Sequence, residues 1–242
     1  MQLGTGRNLA RRQFLCGCCA GAVIGFTSAI AQAADEVVPV SVEPRHHERF
    51  KNEYLRVMEV IIDPGDTTLF HTHELDLAFA VIRGAEIKNE VPNNPEAAIL
   101  RFDTGVVRYS EYQGKPYIHR VTNRGAEPYW LIAFEIELPE PGKFSTSDRS
   151  GAPAYVSELD NNRLHIWRLK LDPGQSAPPI VKAGPGLRVL LSGDQITETK
   201  GDVPARDVPV RRGSFEWQPA GPRYAIKNTG RSPVELVEFE LR

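Results

Sequence analysis

The 242-residue sequence predicts an all-β protein made of two similar units in tandem, and three observations predict it. Short apolar runs rich in Val, Ile, Leu, Tyr and Phe recur along the chain: "YLRVMEVII", "LAFAVI", "YWLIAFEIEL", "LHIWRLKL", "LRVLL", "VELVEFEL". They alternate with turn-forming stretches such as Pro64-Gly65-Asp66, Asn93-Asn94-Pro95 and Asn228-Thr229-Gly230, and no helical periodicity outlasts two turns. Many short strands at this spacing indicate sandwiches or barrels. The third observation is a repeat. "LRVMEVIIDPGD" (Leu55 to Asp66) returns as "LHIWRLKLDPGQ" (Leu164 to Gln175), Gly84 returns as Gly193, and Asn123 as Asn228.

Residues 1–34 read as a signal peptide. Arg7, Arg11 and Arg12 stand without an acidic residue, a moderately apolar stretch runs from Phe14 to Ala31, and Ala31-Gln32-Ala33 supplies a small-residue cleavage site. Arg11-Arg12-Gln13-Phe14-Leu15 resembles the twin-arginine export motif, which is an address and not an anchor. The expected localisation is therefore periplasmic or secreted, with no stable membrane anchor after cleavage. All three cysteines (Cys16, Cys18, Cys19) fall in this leader, so the mature chain has no disulfide, thiol nucleophile or cysteine-based zinc site. The chain's net charge is −2 and the leader carries +3, which leaves −5 on the rest. A mildly acidic chain without a basic block offers nothing for nucleic acid or an anionic membrane to hold.

Within residues 35–140 the stretch "PGDTTLFHTHELDLAFAVIRG" places His71 and His73 one residue apart. On a strand, residues i and i+2 share a face, with Cα atoms roughly 6–7 Å apart. Two imidazoles so placed can converge on one metal ion, at about 2.0–2.1 Å from each ring nitrogen. A pair of satisfied histidines at a strand end reads equally well from this spacing alone. Residues 141–153 have the Pro, Gly and Ser content of a linker, and residues 154–242 form the second unit.

With these residues in view, the sequence resembles the cupin superfamily, specifically a bicupin of two double-stranded β-helix (jelly-roll) barrels. The first cupin motif, G-x5-H-x-H-x3-4-E-x6-G, is met by Gly65, His71, His73 and Gly84, but Leu77 holds the glutamate's slot and Ala78 follows it. The second motif, G-x5-P-x-G-x2-H-x3-N, keeps His119 and Asn123. Its turn becomes Gly114-Lys115-Pro116, and Arg108 stands at its first glycine. In the second unit Gly174, Gly213, Pro219, Gly221 and Asn228 keep the scaffold. Ile180 and Lys182 replace the paired histidines there, and Tyr224 replaces the third.

The resemblance implies one metal site, held by His71, His73 and His119, and a degenerate second barrel that covers or orients the first or packs in a homodimer. Three neutral imidazoles suit Fe, Mn, Zn, Ni or Cu as a divalent ion without choosing among them. A centre without a carboxylate keeps the full 2+ charge and favours small anionic, chelating substrates. It resembles the three-histidine centres of cupin dioxygenases. The leading expectation is thus an exported, metal-dependent dioxygenase-like oxidoreductase. A non-catalytic small-molecule- or metal-binding cupin is the alternative, and a metal-dependent isomerase or lyase the second. No catalytic residue is assigned. Glu74, Asp76, Glu111 and Tyr112 are the acid/base or supporting candidates; the competing reading to a three-histidine centre is that Glu74 or Asp76 supplies a carboxylate ligand through a shifted turn. His46 and His47, in a charged stretch, are expected to be solvated or at a barrel mouth, His165 to serve packing, and Leu77 to face the barrel interior.

Overall fold

A computed structural model describes residues 36–242 of the protein. The stretches expected to be an export motif and a cleavage site, and the three cysteines, lie outside the described residues. In the first unit the strands are β1 (Val37–Pro39), β2 (His46–Lys51), β3 (Leu55–Ile62), β4 (Phe70–His73), β5 (Leu77–Arg83), β6 (Ala85–Glu90), β7 (Ala98–Phe102), β8 (Val107–Ser110), β9 (Tyr117–Asn123) and β10 (Tyr129–Ile136). The second unit continues with β11 (Tyr155–Asp160), β12 (Leu164–Leu171), β13 (Ser176–Val181), β14 (Gly186–Ser192), β15 (Gln195–Lys200), β16 (Val203–Pro209), β17 (Phe215–Gln218), β18 (Arg223–Asn228) and β19 (Val234–Leu241).

Each unit is a two-sheet jelly roll. Sheets β1-β4-β9-β6-β7 and β2-β3-β10-β5-β8 form the first, and β11-β12-β19-β14-β17 and β13-β18-β15-β16 the second. Two of these sheets are buried on both faces. Val57, Ile82, Ile132 and Phe134 on one side and Ile166, Leu187, Val189 and Phe239 on the other belong to a single apolar cluster joining the barrels. Phe134 and Phe239 meet edge to face at 5.1 Å, a geometry worth about 0.5–1.5 kcal/mol beyond area burial. Burial on both faces is why "LAFAVI" and "LRVLL" read as continuous apolar runs and not as alternation. The opposite faces fill two separate interiors.

The repeat seen in the sequence is a repeat of register. β4 pairs with β9 so that His71 lies opposite His119, and β13 pairs with β18 so that Ile180 lies opposite Tyr224. Asn123 and Asn228 staple matching turns. Nδ2 of Asn123 donates to the Ile62 and Glu127 carbonyls, and its Oδ1 accepts from Gly125 N–H. Asn228 does the same with Leu171, Ser232 and Gly230.

One motif assignment is corrected. The counterpart of Gly213 is Gly105 and not Arg108. Both glycines have φ in the left-handed region (78° and 88°), and their N–H groups donate to matched carbonyls, Leu190 and Val81. The first barrel therefore holds three more residues between that glycine and its histidine. The extra length enters the segment between β8 and β9. Fixed motif spacing concealed this, because the insertion lies in a loop where length is free to vary.

The stretch expected as a linker contributes to the second barrel: Ser147 and Arg149 are buried and bond to Glu238 and Glu240.

Candidate metal centre

β4 and β9 are adjacent antiparallel strands, and alternation along β4 sends His71 and His73 to the interior face that His119 shares. The ligand-capable nitrogens of the three lie within 4.8 Å of one another, and among the described residues no other group of this kind forms. Ring centroids stand 4.6–5.2 Å apart. Nδ1 of His71 is 3.0 Å from the Leu69 carbonyl, which only accepts, so Nδ1 carries the proton and Nε2 is bare. Asn89 donates Nδ2 to the Tyr117 hydroxyl and turns Oδ1 to Nδ1 of His119 at 2.6 Å, which leaves Nε2 of His119 bare as well. That nitrogen faces Nε2 of His73 at 3.2 Å. His71 Nε2 and His73 Nδ1 are buried without a hydrogen-bond partner.

Burial is the main force on these rings. It pushes the His71 pKa down to about 4 and those of His73 and His119 well below the ordinary 6.5, with neighbouring imidazoles adding to it. The rings are thus neutral at pH 7, the form a metal needs. Two imidazoles with their second nitrogens tied to oxygen acceptors, and bare nitrogens turned to a common point, have the supporting shell typical of metal-ligating histidine. The donor set fits a divalent transition ion.

The triad opens on a cavity of about 270 Å³. Its walls are mostly apolar, among them Val60, Ile62, Leu77, Phe79, Ile87 and Phe102. Leu77 faces the interior, as expected. Tyr112 lines the same space with its ring stacked on His73 at 5.5 Å, and Glu111 is exposed.

Neither Glu74 nor Asp76 joins the triad. Glu74 is exposed, and Asp76 is consumed elsewhere: its Oδ1 accepts from Tyr112 and Gln113 N–H, and its Oδ2 lies 2.7 Å from Nε of Arg163 in the second barrel. Of the two places expected for His46, solvent and a barrel mouth, it does not take solvent. Its side chain is only 8% exposed, lines the cavity, and puts its ring 4.7 Å from that of His71. Buried Glu43 holds Nδ1 of His46 at 2.6 Å and also accepts from Arg45 and Leu69 N–H. Burial pushes the Glu43 carboxyl up, but His46 and those N–H groups outweigh it and keep it below its ordinary value. No local pattern announces this pair; the pairing of β2 with β3 brings it there. Asn89 was likewise not marked by its sequence. His47 is exposed, and His165 stacks on Trp167 at 3.8 Å.

In the second barrel charge occupies the corresponding space. The pair Ala133–Phe79 of the first barrel is matched by Glu238–Arg188. Lys182 (2.8 Å) and Arg149 (2.8 Å) also reach Glu238, and Arg188 reaches Glu198. Burial brings the Lys182 pKa down to about 8 against the pull of Glu238. Tyr224, fully buried, lies within cation–π range of both Lys182 and Arg188.

No family model and no curated protein matches the sequence. Solved structures do match by fold. The chain is similar to AerE from Microcystis aeruginosa (TM-score 0.58, 11% identity, 83% of this chain and 98% of that one). It is similar to a salicylate 1,2-dioxygenase from Pseudaminobacter salicylatoxidans (0.59, 11%, 84% and 77%), a protein also solved in complex with gentisate. A third is a cupin 2 conserved barrel domain protein from Leptotrichia buccalis (0.51, 10%, 81% and 88%). With the register repeat and the sheet orders above, these likenesses establish the fold: two cupin-type β-barrels in tandem.

Proposed function

We propose that this chain is an exported bicupin that binds one divalent transition metal through His71, His73 and His119 and acts on a small anionic, chelating substrate in a dioxygenase-type reaction. The observation that carries the reading is the convergence of three neutral imidazoles, two of them locked by Leu69 and Asn89, at the wall of an apolar cavity. Bound there, such a metal supplies a Lewis-acidic centre with positions left open for substrate or oxygen. The apolar walls limit water, and the Glu43–His46 pair is positioned beside His71 to hold or pass a proton at His46 Nε2. Support for oxygenase-type work is the all-nitrogen donor set together with a fold shared by a salicylate 1,2-dioxygenase.

Metal analysis of protein purified from its native compartment, beside the His71→Ala/His73→Ala variant, tests the reading. One divalent ion per chain in the wild type and none in the variant is the expected result. Full occupancy in the variant refutes the site. Oxygen consumption in the presence of candidate chelating acids then separates an oxygenase from a lyase or a binder. Export is part of the same proposal and rests on Arg11, Arg12 and the site near Ala33. Changing both arginines to lysine is expected to leave uncleaved precursor in the cytoplasm.

A further inference from the structure

The cavity at the triad carries an uneven set of charges. Among the described residues no Asp or Glu lines it, and Arg108 is its one permanent cation. Strand alternation accounts for the placement. In β8, Val107 and Tyr109 pack toward the apolar cluster between the barrels, so Arg108 and Ser110 face the interior. β8 pairs with β5 so that Arg108 lies opposite Phe79, and Ser110 opposite Leu77. Arg108 sits exposed at the rim, with one guanidinium N–H donated to the Val107 carbonyl and no carboxylate partner among the described residues.

The second barrel shows what the same row of the sheet looks like when its charges are satisfied internally. There the partner across the row is Arg188 opposite Glu216, 3.8 Å apart, and Arg188 is further paired with Glu198 and Glu238. In the first barrel the row is Phe79 and Arg108, and the cation is left facing an apolar space. A guanidinium presents a fork of N–H donors matched to a carboxylate. The cavity of about 270 Å³ lies just under the roughly 300–1,000 Å³ usual for drug-sized ligands, which limits the occupant to about one ring or a short branched chain.

We propose that Arg108 is the ligand-selecting residue of this cavity, and that the ligand is a monocarboxylate with a compact apolar body: the carboxylate on Arg108, the body against Phe79, Phe102 and Leu131. The assignment rests on the reading of this cavity as the substrate chamber, but it does not depend on the metal being bound. It narrows "small anionic, chelating substrate" to an acid whose carboxylate is held on Arg108, so that the group chelating a metal at the triad is a second one on the body.

Calorimetric titration of the full chain with benzoate, and with benzyl alcohol as the uncharged match, tests it. The titrations use chelator-stripped protein, so that the metal cannot hold the carboxylate. Benzoate is expected to bind one per chain. Arg108→Gln is expected to weaken it ten- to hundredfold, the equivalent of one charge-assisted hydrogen-bonding group, while benzyl alcohol binds both proteins alike. Arg108→Lys should recover part of the loss. Equal benzoate affinity in wild type and Arg108→Gln, or no benzoate binding in the millimolar range, overturns the proposal. A parallel zinc titration of the same proteins reports on the triad alone, so loss of metal binding with the Arg108 effect intact refutes the metal reading and not this one.

Discussion

At His71 and His119 the nitrogen turned away from the common point is already engaged, by the Leu69 carbonyl and by Asn89. Asn89→Ala should therefore keep metal stoichiometry but weaken affinity about 10- to 100-fold, as loss of an outer partner generally does; competition against a chromogenic chelator measures it. Leu77 allows the opposite experiment. It faces the cavity at the slot where cupins carry a glutamate, so Leu77→Glu should tighten divalent metal binding and weaken anionic ligands by cancelling charge. Thermal unfolding of that variant controls for the cost of a buried carboxylate. The same residues set a pH dependence. The folded pKa of His71, about 4, lies below the unfolded 6.5, so the unfolded chain takes up the proton first as pH falls. Metal-free protein should be fully stable above pH 6.5 and lose about 3 kcal/mol from this group as pH falls to about 4. His73 and His119 add in the same direction. Urea unfolding at stepped pH should show the slope, and it should flatten when His71, His73 and His119 are all changed to Ala.

The strands and turns show how far local chemistry reaches. Asn123 and Asn228 were matched in the sequence, and each closes its turn through a fully buried amide that donates two hydrogen bonds and accepts one. Asn123→Ala and Asn228→Ala should each cost about 3 kcal/mol through carbonyls left unpaired. The Asn228 change should leave zinc stoichiometry untouched. The strand that carries His71 and His73 was legible because an HxH spacing has one meaning on a strand: both rings on one face. The glycine before β8 was misassigned to position 108 because a three-residue loop insertion breaks motif spacing without disturbing the strands on either side. Only the φ angles and the matched Val81 and Leu190 bonds identify Gly105 with Gly213.

The two barrels share an apolar cluster and, among the described residues, a buried ion pair, Asp76 with Arg163. Arg163 also donates to Gln113 and the Leu138 carbonyl, and Asp76 accepts from Tyr112 and Gln113. Through these groups the barrel without histidine ligands fixes the loop whose Tyr112 stacks on His73. Removing one partner of a buried pair leaves the other uncompensated. Asp76→Asn or Arg163→Met alone should destabilise the protein by about 3–5 kcal/mol, and the double variant should recover much of the loss. A double-mutant cycle in urea measures the coupling. Equal and additive losses would mean that the pair contributes no coupling across the interface.

By itself the sequence determined the all-β class, the tandem repeat, the three histidines and the absence of their counterparts in the second unit. Each of these is written in spacing along a strand or in turn residues, which act over a few positions. What occupies the spaces between strands was decided only by tertiary structure. Asp76 was one of two carboxylates that a competing reading offered as a ligand, and Arg163, 87 positions further on, takes it. His46 read as solvated or at a barrel mouth, and only Glu43 and the β2–β3 pairing carry it to His71. The second barrel's loss of histidines did not foretell an interior of paired charges, because Arg149, Lys182, Arg188 and Glu238 meet only when four distant segments close around them. A buried charge is tolerable only where partners converge, and convergence is a property of the closed barrel and not of any stretch of chain.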